Sequence, residues 1–495
     1  MADVPKLKNY VNGAWVEPEL SGWLDVENPA TGETIAQCPL STPAAVGQAV
    51  EAADAAFPEW ANTPVYRRCL PLLRLAAIFR EREEEVSRVL SSEQGKSLPD
   101  ARAEIKRLIE NTEVAAGMPV MSQGDKVIGC SFGIDGEVIR LPIGVFGLIA
   151  PFNFPAMLPF WFLPYALATG NTFVMKPSEV VPMTMDLAFQ WIEEAGFPPG
   201  VVNMAHGAKE AAIALVEHPN VAGISIVGKS ETVQSVNVRC AQLGKRCQAM
   251  GSAKNHLVAM PDANLHHVIR NMTTSCYGCA GQRCMASSAI VGVGDEMYEK
   301  LCTQFVEDSK KVLVADPLDP KVADESMVMG PVISQASLER IHGLIDTGVK
   351  EGATLALDGR DIVVPGSEKG HFIGPTVFTD VQPGMVIHNT EIFGPVVVIL
   401  KAKNLDEAIE IVNNHRYGNG GSIYTSNGYW ARRFKLETLC GMIGINIGIP
   451  APVAYLPFGG MKDSQYADIK AQGKSIVKFF TEEKIIVERW WPEEG

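Results

Sequence analysis

The chain has 495 residues, of which 46% are apolar and 20% charged, and its formal net charge is −14. That length provides for two or three domains of roughly 100–200 residues each, with enough apolar residues for sizeable cores. The acidic balance repels phosphate backbones and anionic lipid, which argues against nucleic acid and membrane surfaces as partners.

Met1–Trp15 has neither the charged-then-apolar order of a secretory signal nor the Arg- and Ser-rich character of a mitochondrial one. The ten cysteines are spread too widely for a disulfide framework, so a reducing cytoplasm is the expected location.

In chain order, apolar periodicity predicts helices over Pro43–Asn62, Arg67–Gln94 and Leu98–Met118. Two β-rich stretches follow, Lys126–Gly133 and Glu137–Arg140, and the intervening Ile134-Asp135-Gly136 is a hairpin signal. The long uncharged run Ile143–Gly170 carries Pro151, Pro155, Pro159 and Pro164. Each would remove a helix donor, so the run reads as buried strand, turn and buried helix rather than as a membrane span. Strands are expected at Val145–Ala150, Thr172–Lys176, Val201–Met204 and Gly223–Val227, alternating with helices at Pro182–Ala195, Ala208–Glu217 and Glu231–Leu243. The alternation resumes with helices over Val268–Cys276, Glu296–Val312, Gln335–Glu351 and Leu405–Asn413 and strands over Ser288–Val293 and Val396–Lys401. This βαβ spacing predicts an α/β fold with doubly wound parallel sheets. The tail carries Ile485-Ile486-Val487, a strand suited to adding to another sheet or subunit.

Gly223-Ile-Ser-Ile-Val-Gly228-Lys229-Ser230 matches a phosphate-binding loop pattern in letter only. Its variable residues are Ile, Ser, Ile and Val, which read as the strand itself. The turn that follows can still lie beside a phosphate, because helix N-termini attract anions. No G-x-G-x-x-G fingerprint occurs.

Gly278-Cys-Ala-Gly-Gln-Arg-Cys284-Met-Ala places a thiol among small residues beside Arg283. Small residues let a ligand approach the backbone, and a neighbouring guanidinium favours the thiolate. Taken alone, such a cysteine is most often an inert core residue. Cys276, Cys279 and Cys284 have no histidine at ligand spacing and no second C-x2-C pair, which argues against zinc.

Five motifs change the weight of that cysteine. Pro151-Phe-Asn153-Phe-Pro155, Met175-Lys176-Pro177-Ser178-Glu179, Gly281-Gln-Arg-Cys284, Glu391-Ile-Phe393-Gly-Pro395 and Pro457-Phe-Gly-Gly-Met-Lys462 occur in this order. Together they resemble the aldehyde dehydrogenase superfamily, from about Tyr10 to the C-terminus. The resemblance implies a dinucleotide-binding domain (1–123 and 144–251), a catalytic domain (252–455), and a β oligomerisation arm (124–143 and 474–495) that makes a dimer or homotetramer. It implies Cys284 as the nucleophile that forms a thiohemiacetal and then a thioester. Asn153 and the Cys284 N–H would be the oxyanion donors. The implied cofactor is NAD, with NADP as the alternative. Its residues would be Lys176 and Glu179 at the adenosine ribose, Gly228 and Lys229 at the pyrophosphate, and Glu391 and Phe393 at the nicotinamide end, with Ala150, Phe152 and Gly207 completing the set.

Most hydrolytic members carry a Glu-Leu-Gly-Gly-Lys segment whose glutamate activates water. The matching stretch here, Ala249-Met-Gly-Ser-Ala-Lys254-Asn-His256, has no carboxylate. Water is a poor nucleophile without a base, whereas a thiol ionises readily. This stretch and Gln282-Arg-Cys-Met-Ala286 resemble the methylmalonate-semialdehyde dehydrogenase subgroup. The subgroup passes the acyl group to coenzyme A with loss of CO2 and binds the substrate carboxylate through two arginines. Arg107 and Arg283 match those positions, and paired guanidinia suit a carboxylate. The stretch Ile449–Gly460 departs from the subgroup's phenylalanine-rich wall, and Tyr455 is expected to shape a different pocket. A non-acylating dehydrogenase of another small anionic aldehyde, such as sulfolactaldehyde or succinate semialdehyde, therefore stays open. So do a non-catalytic binding protein on the same scaffold and an NTPase built on Gly223–Ser230.

Overall fold

A computed structural model describes residues 4–325 and 327–491. The outermost residues of the expected N-terminal domain (1–3) and of the expected arm (492–495) lie outside them.

Two large sheets organise the chain. The first has eight strands in the order Ala14–Val16, Asn9–Val11, Val202–Met204, Thr172–Lys176, Val145–Ile149, Val221–Val227, Arg246–Met250 and Gln465–Tyr466. Its five central strands run parallel, and antiparallel strands close both edges. Helices cover both faces, so the central strands are near-continuous apolar runs; Thr172–Lys176 is buried at every position. The second sheet has seven strands: Thr354–Leu357, Thr376–Thr379, Val396–Ala402, Ala289–Val293, His256–Ala259, Gly420–Tyr424 and Met442–Ile445. All but the first pair are parallel. Each sheet anchors its own large apolar cluster.

The run 143–170 is strand, turn and buried helix: Val145–Ile149, a 3₁₀ turn at Pro159–Trp161, then Leu163–Thr169. Among the described residues no helix is long and apolar enough to cross a membrane. The variable residues of Gly223–Ser230 lie in the strand Val221–Val227, so they form no phosphate-cradling loop.

Two local expectations need correction. The helix expected over Arg67–Gln94 is two helices, Val65–Glu81 and Glu83–Gln94, which break at Arg82 (φ −110°, ψ 28°). Arg82 turns out to pair with Glu194 (2.8 Å), and Glu83, Glu84 and Glu85 then form an acidic first turn, favourable at a helix N-terminus. The hairpin turn is Phe132-Gly133, with Gly133 at φ +64°, and not Asp135-Gly136. Asp135 instead lies in the strand Ile134–Pro142 and accepts the Gly129 N–H (2.9 Å).

The tail strand Thr481–Glu488 pairs antiparallel with Ile134–Pro142 of the same chain, from Thr481↔Pro142 to Glu488↔Asp135. The resulting three-stranded arm carries Ile128, Phe132, Ile485 and Val487 in the open; Phe132 is 98% exposed. Asn171 pins the arm's root. Its Oδ1 accepts the Ile143 and Gly144 N–H groups (2.7 and 3.0 Å), and its Nδ2 donates to the Phe480 carbonyl (2.7 Å). Replacing Asn171 by Ala leaves these buried groups unpaired and is expected to cost about 2–4 kcal/mol, read as a lower urea midpoint.

Candidate active site

The loop that bears Cys284 leaves the helix Leu265–Tyr277 through a 3₁₀ turn, Gly278–Gly281, and enters the strand Ala289–Val293. Cys279 (φ 52°) and Ala280 (φ 51°) both occupy the left-handed region, which costs energy and is held by the surrounding packing. A side chain on Gly281 would meet the Gly394 carbonyl at 2.2 Å, so only glycine allows this approach. Successive carbonyls of the loop are each held. The Gln282 carbonyl accepts from Asn153 Nδ2 (3.1 Å), and the Arg283 carbonyl from the Ala286 N–H (3.1 Å). The Cys284 carbonyl accepts from Asn255 Nδ2 (2.8 Å) and Asn419 Nδ2 (3.1 Å). Burial pushes the Cys284 thiol up to about 12, with the Glu391 carboxylate adding to it; the N–H groups of Cys284 and Met285 oppose the rise.

Asn153 follows the strand Val145–Ile149 and is itself buried. Its carbonyl accepts from Lys96 Nζ (2.8 Å). Lys96 pairs with Glu104 (2.5 Å), both side chains fully buried, and Glu104 Oε1 accepts the Ala156 and Met157 N–H groups (2.8 and 2.9 Å). Sequence reasoning missed this pair. A signal existed: Glu104 falls on the buried face of its helix, beside Ala101, Ile105 and Leu108.

A cleft of about 1440 Å³ runs from the helices Lys209–Glu217 and Ser230–Gln242 to Cys284. Of the residues expected to hold the cofactor, Ala150, Phe152, Lys176, Glu179, Gly228, Lys229, Glu391 and Phe393 line it, as do Asn153 and Cys284. Gly207 contributes a carbonyl: Lys176 Nζ donates to it (2.7 Å), to the Pro177 carbonyl (2.9 Å) and to Glu179 (3.0 Å). Ile213, Val216 and Val236 make one end of the cleft apolar, suited to a purine ring. Lys229 immediately precedes the helix Ser230–Gln242, whose N-terminal dipole favours phosphate. Glu391 accepts the Ala253 N–H (2.9 Å), and burial pushes its carboxyl up to about 7. The Phe152 and Phe393 rings stand edge to face, 5.7 Å apart, with Phe393 held at φ 54°. An apolar slot, a helix N-terminus, the Glu179 and Glu391 carboxylates and the paired rings line one cleft with Cys284, a set that fits a dinucleotide.

Besides Gly207, three expected residues stand apart from the cleft lining: Arg107, Arg283 and Tyr455. Arg283 does not turn toward the Cys284 thiol to favour its thiolate. Its guanidinium pairs with Asp100 (2.6 Å) and lies 3.3 Å from Cys279 Sγ, and its charge lowers the Cys284 thiol less than the N–H groups of Cys284 and Met285 do. Arg107 pairs with Glu110 (2.7 Å) on an open helix face, so each guanidinium already has a carboxylate. Tyr455 is 66% exposed. Cys276 donates to the Ser287 carbonyl (2.9 Å), and among the described residues no cluster of His, Cys, Asp or Glu has metal-binding geometry.

The aldehyde dehydrogenase family model matches residues 15–486. The chain is 43% identical over 488 residues to malonate-semialdehyde dehydrogenase 1 of Geobacillus thermodenitrificans, covering 98% of this chain and 99% of that one. It is 41% identical over 490 residues to malonate-semialdehyde dehydrogenase of Halalkalibacterium halodurans, covering 99% of each. A Sinorhizobium meliloti crystal structure, assigned as a methylmalonate-semialdehyde dehydrogenase and complexed with NAD, superposes with a TM-score of 0.97 at 38% identity over the whole of both chains. Methylmalonate-semialdehyde dehydrogenase of Oceanimonas doudoroffii superposes at 0.96, with 37% identity over 99% of each chain.

Two outcomes follow from the geometry. Lys96→Met leaves the Glu104 charge buried and alone, and is expected to cost about 3–5 kcal/mol in urea unfolding. Because the Cys284 thiol titrates far above neutrality, its alkylation by iodoacetamide in the NAD-free protein should climb about tenfold per pH unit from pH ~7 to ~10, with no plateau.

Proposed function

Because the chain belongs to the aldehyde dehydrogenase family, we propose that it oxidises malonate or methylmalonate semialdehyde with NAD and passes the acyl group to coenzyme A. The observation that carries the acceptor is the segment Ala249–His256. It matches the stretch that bears the glutamate in hydrolytic members, contains no carboxylate, and includes the buried Met250 at the end of the strand Arg246–Met250.

The chain's own residues divide the chemistry. Cys284 loses its proton and its sulfur adds to the aldehyde carbon, giving a thiohemiacetal. The Cys284 N–H and Asn153 Nδ2, once released from the Gln282 carbonyl, donate to the oxygen on which charge builds. When bound, NAD supplies the hydride acceptor. Glu179 and Glu391 hold its two riboses, and the Glu179 carboxylate favours NAD over NADP by repelling a 2′-phosphate. The segment that carries the water-activating glutamate in hydrolytic members has no carboxylate here, and the coenzyme A thiol takes the acyl group from the thioester on Cys284. For malonate semialdehyde, the malonyl thioester on Cys284 loses its carboxylate as CO2, and the electron pair of the broken C–C bond takes up a proton to leave an acetyl thioester. The sum is one acetyl-CoA, one CO2 and one NADH.

Arg107 is the guanidinium best placed to exchange partners. An open ion pair such as Arg107–Glu110 contributes at most about 1 kcal/mol, so a substrate carboxylate can displace Glu110. Arg283 acts through Asp100, which also accepts the Cys279 N–H (3.2 Å) and so anchors the turn before the nucleophile. The apolar arm around Ile128, Phe132 and Val487 supports assembly into a homo-oligomer, and ten free cysteines suit the reducing cytoplasm.

The test is NADH formation from each semialdehyde with and without coenzyme A, with products identified by mass spectrometry. Acetyl-CoA or propionyl-CoA should form, with turnover that depends on coenzyme A. Free acid released at the same rate without it contradicts the reading. Cys284→Ala should lower kcat at least about a thousandfold.

A further inference from the structure

We propose that Asn255 and Asn419 are positioning residues that together grip the Cys284 carbonyl and turn the N–H at the other end of that peptide toward the Cys284 sulfur, an inference that rests on the reading of Cys284 as the nucleophile.

The grip is built into the second sheet. Asn255 and Asn419 each stand just before a strand, His256–Ala259 and Gly420–Tyr424, and these strands are parallel neighbours with His256 opposite Gly421. The strand that leaves the nucleophile loop, Ala289–Val293, pairs on the other side with His256 opposite Ala289. Asn255 therefore sits between the two. Its backbone carbonyl accepts the Ala289 N–H (3.2 Å), and its Oδ1 accepts the Gly420 N–H (2.8 Å). That fixes the amide plane and aims both Nδ2 hydrogens at the loop, one at the Cys284 carbonyl (2.8 Å) and one at the Ala286 carbonyl (3.0 Å). Asn419 Nδ2 adds a second donor to the Cys284 carbonyl (3.1 Å) and touches Met285 Sδ (3.1 Å). Both asparagines are buried, at 1% and 5% exposure, so neither amide has bulk water as a substitute partner.

The consequence follows from peptide geometry. The Cys284 carbonyl and the Met285 N–H belong to one planar unit and point in opposite directions. Holding the oxygen therefore sets the direction of the N–H, and that N–H, with the one on Cys284, favours the charged form of the sulfur. Two donors on the oxygen also polarise the unit and strengthen its N–H as a donor. The same N–H stays near the sulfur as it becomes thiohemiacetal and thioester.

A packing role and a donating role separate at Asn419→Leu, which keeps the volume and removes the donor. The measurement is the iodoacetamide alkylation rate of Cys284 in the NAD-free full-length protein, with the Cys284→Ala background subtracted. Asn419→Leu should react roughly fivefold to tenfold more slowly at each pH between ~7 and ~9, a displacement of up to about one pH unit, while NAD+ affinity by calorimetry is unchanged. Asn255→Ala should be displaced further if it folds; Asn419→Leu carries the test if it does not. Alkylation of Asn419→Leu equal to wild type overturns the grip while leaving Cys284 as nucleophile. Retained dehydrogenase activity in Cys284→Ala overturns the nucleophile itself.

Discussion

A hydrogen bond from Asn153 Nδ2 to the Gln282 carbonyl, at 3.1 Å, ties the two halves of the site together beside Cys284. Asn153 extends from a strand of the eight-stranded sheet, and Gln282 precedes the nucleophile in a loop that feeds the seven-stranded one. Neither sheet contains a site alone. The cleft is lined by residues that follow central strands of the first sheet and by the loop that feeds a central strand of the second, and the amide that bridges them is the one proposed above as an oxyanion donor. Its partner is a backbone oxygen, which it can exchange for a substrate oxygen without leaving a charge behind.

Burial then sets the chemistry around that bridge. Lys96 and Glu104 are fully buried and neutralise each other while ordering the Asn153 loop, so their charges serve position and not reaction. Lys254 donates to the Ile387 and Thr390 carbonyls (2.9 and 3.1 Å), which places Glu391, and burial pushes the Lys254 ammonium down to about 7. Burial also moves the Glu391 carboxyl up to about 7. Burial likewise pushes the Cys284 thiol up to about 12, and the N–H groups of Cys284 and Met285 oppose that rise.

Much of the fold was legible because buried parallel strands and amphipathic helices write themselves into apolar spacing. Pro43–Asn62 and Thr172–Lys176 have the bounds that periodicity predicts. The split at Arg82 was not legible, because a local helical pattern cannot register the distant Glu194 that holds the break. The Phe132-Gly133 turn was hidden by a stronger local signal two residues on. Short edge strands such as Gln465–Tyr466 and Thr354–Leu357 have too few residues for a period to show. At the site, Cys284 and Asn153 were legible through the order of five motifs. Lys96, Asp100, Asn255 and Asn419 were not, because each acts across a long stretch of sequence. Asn255 and Asn419 lie in irregular segments just before strands, where asparagine is ordinary, so nothing local marks them. Arg283 was legible as a charge beside the nucleophile, but its direction was not: Asp100 decides it.

Trapping the acyl group on the enzyme tests the account most directly. The protein is mixed with malonate semialdehyde and NAD+ without coenzyme A, quenched in acid, digested and analysed by mass spectrometry. An acetyl group on Cys284 that leaves on addition of coenzyme A, with matching formation of acetyl-CoA, is the predicted result. A Cys284 that carries no acyl group during turnover, or one whose acyl group departs into water at a rate indifferent to coenzyme A, would contradict the account.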